Sequence, residues 1–363
     1  MERQNSITLL SITNFLESGA LVRHREQWVL IEGPFTPASG ANRDEITVFF
    51  PDFYDLSASL PVKGRQTYRL STAELRQNCE TYLAQISAAA AAPLAKAPWE
   101  EPTKELFAES LQLIQKRIAA GEIQKAVPVV FAKSQQTVTP RERAQMLLQL
   151  LEAPANLYVY GFWNQDRGVM GATPEVLFEY RQGVLRTMAL AGTCPKSEAA
   201  SRESLLDDAK EKQEHLLVVE DLKEIFKNIG AIKTQGPYVL ELPSLYHLCT
   251  DIEIECTTAP NFLALLRTLH PTPALGVAPR KAGYQWMTQL QGQQGRGGFG
   301  APFAFFGPEE ALCLVAIRNL QWNDNLSMIG SGCGVVAASE LEREWRELFQ
   351  KRLSVRKILG LEL

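Results

Sequence analysis

Apolar and polar positions alternate with a period of two over residues 20–31, a stretch rich in Val, Leu and Trp, and again over 47–53 and 66–70. These stretches read as strands. From 74 to 91 the period becomes helical, with Leu75, Tyr82, Leu83 and Ile86 on the buried face. An alanine tract then runs to Pro93 and Pro98 and marks the best candidate boundary. It is too short for a free linker, so residues 1–98 are expected to pack with 99–363 as one domain. Pro102 and Thr103 open the next helix, whose apolar stripe is Leu106, Phe107, Leu111, Ile114 and Ile118, and Gly121 stops it. A strand over 123–132 and a short amphipathic helix over 141–151 follow. Strands at 156–162, 168–171, 176–180 and 184–191 then form a meander with turns at 164–166 and 181–183. The longest helical signal covers 207–229, with Leu216, Leu217, Val219, Leu222, Ile225 and Phe226 as its buried face. An apolar strand covers 311–320, and a charged helix follows Ser339. Meanders broken by long helices predict a mixed, largely antiparallel α/β architecture rather than a doubly wound parallel one.

Composition narrows the partners. The 363 residues carry a net charge of −4 with both signs interspersed, so neither nucleic acid nor an anionic membrane surface is called for. No apolar run approaches the roughly 20 residues that span a bilayer. The start, MERQNSITLL, lacks the pattern of a signal peptide, and a cytoplasmic protein is expected. Six cysteines without a CxxC pair and four scattered histidines argue for reduced thiols and against zinc. The Gly-rich stretch 295–300 has no Walker lysine and no GxGxxG after a strand, which disfavours a nucleotide.

Candidate chemistry concentrates near the C-terminus. Gly330, Gly332 and Gly334 alternate, which leaves backbone N–H groups open to close approach by a ligand. Glu344 and Glu347 then share one helical face, with Lys351 a turn later. Glu211 and Glu214 form a second aligned pair. Such pairs on helices are usually solvated faces; as a set, carboxylates beside an anionic ligand suit Mg²⁺. Lys125 stands in an apolar strand, where it reads either as an edge lysine snorkelling to water or as a functional amine. Glu175 follows Pro174 at the mouth of an apolar strand. It is either a solvated turn residue or an acid of raised pKa. Arg318 in an apolar strand is costly unless it meets a carboxylate, and that points to an organic acid. His270 reads as a proton carrier, a hydrogen-bond donor or a turn residue.

Taken together, GEIQKAV (121–127), GATPEVL (171–177), LAGT (190–193), KEKQEHLLVVEDL (210–222), LHPTPALGVAP (269–279), LVAIRNL (314–320) and GCGVVAASELEREWRELFQK (332–351) resemble the chorismate-utilising enzymes. These are the isochorismate, salicylate, anthranilate and aminodeoxychorismate synthases, and the motifs occur in the family order over roughly residues 100–360. The resemblance implies an α/β fold of the α+β type, with large, mostly antiparallel β-sheets packed in a sandwich and helices around the outside. It implies chorismate as substrate and Mg²⁺ as cofactor. Lys125 stands where the ammonia-using members have Gln, and LHPTPAL is similar to isochorismate synthases. An isochorismate synthase is therefore expected, with salicylate synthase as the alternative. The implied roles are Lys125 as base, Glu175 as acid, and Glu214 and Glu347 on the metal with Glu211 and Glu344 assisting through water. Ala191, Gly192 and Thr193 would line the C4 side, and His270 and Thr272 would lie by the ring or side chain. Arg318, Gly332, Cys333, Gly334 and Lys351 would hold a substrate carboxylate. A monomer without a glutaminase subunit is expected, and no tryptophan-binding signature is present. Three features depart from the family pattern: Val130 where Arg is common, Pro302 and Phe303 where small residues are expected, and an unmatched first hundred residues.

Overall fold

The computed structural model describes residues 10–24, 26–38, 45–86, 98–196, 201–243, 245–290, 292–293 and 295–361. Among these, one sheet has eight strands in the order β6 (Gln66–Leu70), β2 (Gln27–Glu32), β1 (Ser18–His24), β9 (Tyr158–Asn164), β10 (Arg167–Thr173), β18 (Asn319–Asn323), β19 (Leu326–Gly332) and β8 (Val129–Ser134). The other has nine: β13 (Gly230–Glu241), β14 (Leu245–Cys256), β12 (Val184–Pro195), β11 (Val176–Arg181), β17 (Glu310–Val315), β16 (Pro302–Phe306), β4 (Thr47–Phe49), β5 (Val62–Lys63) and β3 (Thr36–Pro37). A short ribbon pairs β7 (Lys125–Ala126) with β15 (Val277–Ala278). All the described pairings are antiparallel.

Alternation explains the layers. In β1 and β2, Ala20, Val22, Val29 and Ile31 face inward and meet Val48, Val176, Phe303, Phe305, Leu312 and Leu314 of the second sheet. Leu21, Trp28 and Leu30 point the other way, onto helices α1 (Ile12–Glu17), α2 (Thr72–Gln85), α4 (Pro140–Leu150) and α7 (Leu341–Leu359). Both faces are thus apolar with opposite parity, because side chains switch faces at every residue. Helices α5 (Ala209–Phe226) and α6 (Phe262–Leu269) cover the outer face of the second sheet, and α3 (Lys104–Ala119) packs on the ribbon. The sandwich with outer helices is therefore the fold observed. Strands before residue 86 build part of both sheets. The alanine–proline tract at 87–97 lies outside the described residues. None of the described helices is long and apolar enough to cross a membrane.

Three expected elements differ, and each difference bears on the site. The strand over 123–132 divides at Pro128, which has no N–H for a ladder, so Lys125 lies in the ribbon and Val129–Ser134 in the large sheet. The strand over 311–320 also divides: β17 ends at Val315, and β18 starts at Asn319 in the other sheet. On α5, Leu216 is 53% exposed, while Glu211, Glu214, His215, Val218, Leu222 and Phe226 are buried. The buried stripe continues through the glutamates instead of the leucines, so these carboxylates are no solvated face. Leu106 on α3 is likewise exposed.

Candidate active site

The chain passes from the first sheet to the second through Pro174 and Glu175, between β10 and β11, and returns through Ala316, Ile317 and Arg318, between β17 and β18. Because β10 pairs with β18 and β11 with β17, the two crossings are neighbours. Backbone bonds lock them together: Val315 N donates to Glu175 O at 3.1 Å, and Ala172 N to Arg318 O at 3.2 Å. Here a cavity of about 610 Å³, its open mouth included, meets solvent. Glu175, Ala191, Thr193, Glu214, His247, Arg318, Gly332, Cys333, Gly334 and Lys351 line it, with Leu275, Phe299 and Ile317 as apolar wall.

Glu175 is 4% exposed. Burial pushes its carboxyl up to about 7, although Lys125 and Lys351 pull the other way. Arg318 adopts φ 55, a left-handed conformation uncommon outside glycine. That turn is clamped: Tyr160 Oη donates to Ile317 O at 2.8 Å, and Asn319 Nδ2 to Ala316 O at 2.8 Å. The guanidinium donates to Ser354 Oγ at 2.8 Å and to His247 Nε2 at 3.4 Å. Among the described residues no carboxylate lies within ion-pair distance of it; burial lowers its pKa to about 10, although the nearby Glu347 charge pulls the other way. A buried cation held without an anion is a ready partner for an anionic ligand.

His247, which lies outside the sequence motifs, links two walls of the cavity. Arg318 can only donate, so Nε2 of His247 accepts and Nδ1 carries the proton toward Thr193 Oγ1, 3.0 Å away. Burial and the nearby Arg318 push its pKa well below the usual value, which keeps the ring neutral. A second buried histidine, His215, bonds Ala191 O at 3.1 Å and Thr250 Oγ1 at 2.8 Å, fixing α5 against β12.

The two glutamate pairs do converge, from α5 and α7, and each carboxylate meets a cation. Glu214 Oε1 is 2.9 Å from Lys125 Nζ, and Glu347 Oε1 is 2.6 Å from Lys351 Nζ. Glu211 Oε1 is 2.9 Å from Arg343 and 3.0 Å from Lys210 Nζ, which also lies 2.8 Å from Glu344 Oε1. Glu211 further accepts from Thr193 N at 2.8 Å. Burial raises Glu211 to about 7, with the Glu214 charge adding to it. Burial also disfavours ionised Glu214, but Lys125 and Lys210 outweigh it and its pKa is lowered. Among the described residues no three carboxylates converge on one point as a ligand set; the Lys210 ammonium stands between them. The donor chemistry nonetheless fits Mg²⁺, which takes hard carboxylate oxygens with water. Oε2 of Glu344, fully buried, has no hydrogen-bond partner.

Lys125 is fully buried but lies behind the cavity wall rather than on it. Its contact with Glu214 is an ion pair rather than a well-directed hydrogen bond. Gly334 makes this possible: a Cβ there would stand 2.0 Å from Glu214 Oε1 and 2.6 Å from Lys125 Cε. At Gly330 and Gly332 the space is taken by the chain's own side chains, Phe299 and Val129. Lys351 also donates to Gly332 O at 2.8 Å. Gly192 lies off the wall at φ 83, with Glu211 O 2.9 Å from the position of a Cβ.

Besides Gly192, two further residues expected at the substrate lie off the cavity wall. His270 does not reach the cavity: Nε2 bonds Phe53 O at 2.8 Å, and its ring packs edge-on against Phe53 and Tyr284. Burial lowers its pKa to about 3, so it is a neutral core histidine. Thr272 is buried beside it in sequence and off the wall as well; Ala274 and Leu275 line the cavity instead. Of the departures from pattern, Val130, Pro302 and Phe303 are buried in packing.

The family model described as chorismate binding enzyme matches residues 52–360, and the protein belongs to that family. It is 36% identical over 222 residues to the salicylate biosynthesis isochorismate synthase of Pseudomonas aeruginosa, covering 59% of this chain and 46% of that protein. It is 28% identical over 268 residues to the isochorismate synthase MenF of Escherichia coli, covering 72% and 62%. The chain thus matches about half the length of these relatives. The solved structure of MenF, the menaquinone-specific isochorismate synthase from Escherichia coli, superposes with a TM-score of 0.77 at 19% identity, covering 97% of this chain and 92% of that one.

Proposed function

We propose that the protein is an isochorismate synthase, converting chorismate to isochorismate with Mg²⁺. The reading is carried by the convergence on one cavity of a buried carboxyl of raised pKa, Glu175, and a buried guanidinium without an anion, Arg318, with Lys125 one carboxylate behind the wall. The names of the related isochorismate synthases support it. Lys125 in neutral form takes a proton from water as the water oxygen bonds to C2 of the ring. The ring double bonds shift, the C4–O bond breaks, and Glu175 gives its proton to the departing hydroxyl, which leaves as water. One water enters and one leaves, so the reaction is an isomerisation. Lys125 reaches the cavity once the Glu214 carboxylate turns away from it. Arg318 binds the enolpyruvyl carboxylate, with Gly332–Gly334 and Lys351 beside it. Glu214 and Glu347 would hold Mg²⁺, which supplies positive charge to the ring carboxylate. His247 keeps Arg318 and Thr193 oriented.

The protein acts as a monomer with water as nucleophile and without a glutaminase subunit. Incubation of the purified chain with chorismate and Mg²⁺, followed by chromatography, should yield isochorismate. No isochorismate in that assay would end the proposal. Salicylate fluorescence would instead indicate that pyruvate is eliminated as well, and turnover only with ammonia would indicate an amino-transferring enzyme.

A further inference from the structure

Lys210, in the first turn of α5, is placed unlike the other lysines of the site. Its ammonium is shared by three carboxylates, 2.8 Å from Glu344, 3.0 Å from Glu211 and 3.7 Å from Glu214. It therefore ties α5 to α7. Lys125 serves Glu214, and Lys351 serves Glu347. Lys125 is sealed at 0% exposure, whereas Lys210 keeps 9% and so touches the rim of the cluster. Its flexible four-carbon stem can carry the charge outward without moving the helix.

We propose that Lys210 is a resident cation that holds the carboxylate cluster together when no divalent ion is bound, and that Mg²⁺ enters by displacing it toward the rim. The proposal rests on the reading of Glu214 and Glu347 as metal ligands. Two positive charges within about 4 Å of each other repel strongly in a poorly solvated cluster. Ammonium and metal are therefore alternatives at its centre. Removing Lys210 leaves the four glutamates with Lys125, Lys351 and Arg343, and Arg343 is already shared with Asp208. Such a cluster should be less stable empty and more avid for a divalent ion.

The test uses the full chain stripped with chelator, as wild type and Lys210→Gln. Mn²⁺ binding is followed by electron paramagnetic resonance, and melting is recorded with and without Mg²⁺. Lys210→Gln should bind Mn²⁺ roughly tenfold tighter or more. It should melt below wild type without metal, and Mg²⁺ should close most of that gap. If the variant does not fold, wild type alone still decides: pulse acetylation read by mass spectrometry should label Lys210 more when Mg²⁺ is added. Equal Mn²⁺ affinity in the two proteins, or Lys210 labelling that Mg²⁺ leaves unchanged, overturns the proposal. Destabilisation of Lys210→Gln that Mg²⁺ does not relieve also overturns it and leaves a merely structural lysine. If neither protein binds Mn²⁺, the metal reading fails and the proposal with it.

Discussion

Glu175→Gln removes the proposed acid and keeps nearly the same side-chain shape. In the folded protein this carboxyl titrates near 7 rather than the ordinary 4.5, because burial disfavours its charge. The folded state thus binds the proton more tightly than the unfolded chain. The stabilisation this gives is complete below about pH 4.5 and is lost as pH rises through about 7. The full loss is about 3 kcal/mol. With an unfolding entropy that scales with the 363 residues, this corresponds to about 4 °C in Tm. Glutamine does not ionise, so Glu175→Gln should melt up to about 4 °C above wild type near pH 8.5 and close to it near pH 5. Catalysis should move the other way. The variant should lose about 10²–10⁴-fold in kcat, and wild-type kcat/KM should fall above about pH 7, where the acid loses its proton. Thermal melts across this pH range and a chromatographic rate assay read both effects. A melting difference that does not change with pH would refute the buried, proton-binding carboxyl. Full activity in the variant would refute its role as acid.

Lys125→Met should abolish isochorismate formation and also cost about 3 kcal/mol or more, because it leaves the Glu214 carboxylate buried beyond its main partner; thermal melts and the chromatographic assay check the two effects. Arg318→Met should raise KM for chorismate by about 10–100-fold with little change in kcat, as expected for loss of a charge-assisted carboxylate contact. Without substrate the same variant should melt higher than wild type, since an unpaired buried guanidinium is removed. His270→Phe should keep kcat/KM within about twofold while costing about 1–3 kcal/mol for the stranded Phe53 carbonyl. A large activity loss at unchanged Tm would mean that His270 touches the substrate after all.

Much of the fold was legible because strands and helices advertise their periods. Residues 20–31 alternate, and the chain there alternates between the sandwich interior and the helical layer. The strand over 311–320 was misread because a seam between two buried sheets is as apolar as the strands it joins. Ala316 and Ile317 look like strand, and only the positive φ at Arg318 and the sheet change after Val315 reveal a crossing. On α5 the apolar residues span a broad arc, so hydrophobicity alone placed Leu216 inside and the glutamates outside. The motif resemblance corrected the glutamates, but it could not say which cation each would meet. Lys210 and His247 stand out only once the pairing of α5 with α7, and of β14 with β12, is known. His270 erred in the opposite direction, because a histidine bonded to a backbone carbonyl in the core has no sequence signature that separates it from a functional one.

The count of buried charges ties the proposed chemistry to a cation. The four glutamates of α5 and α7 face Lys125, Lys210, Lys351 and Arg343, and Arg343 is shared with a fifth carboxylate, Asp208. Glu175, with its proton, adds no charge, and Arg318 contributes one positive charge without an anion. A substrate with two carboxylates brings two negative charges, of which Arg318 matches one. When Lys125 acts as base it is neutral, and Glu214 keeps only the more distant Lys210, 3.7 Å away. Negative charge is then in excess in a poorly solvated site, where it is costly. On the proposed reading a divalent ion would offset that excess, with Glu214 and the substrate's second carboxylate as the groups that would hold it. On that reading Mg²⁺ would have a second effect besides supplying charge to the ring carboxylate. Glu214, if it held the metal, would no longer pair with the Lys125 amine, which would then be free to take the proton of the attacking water.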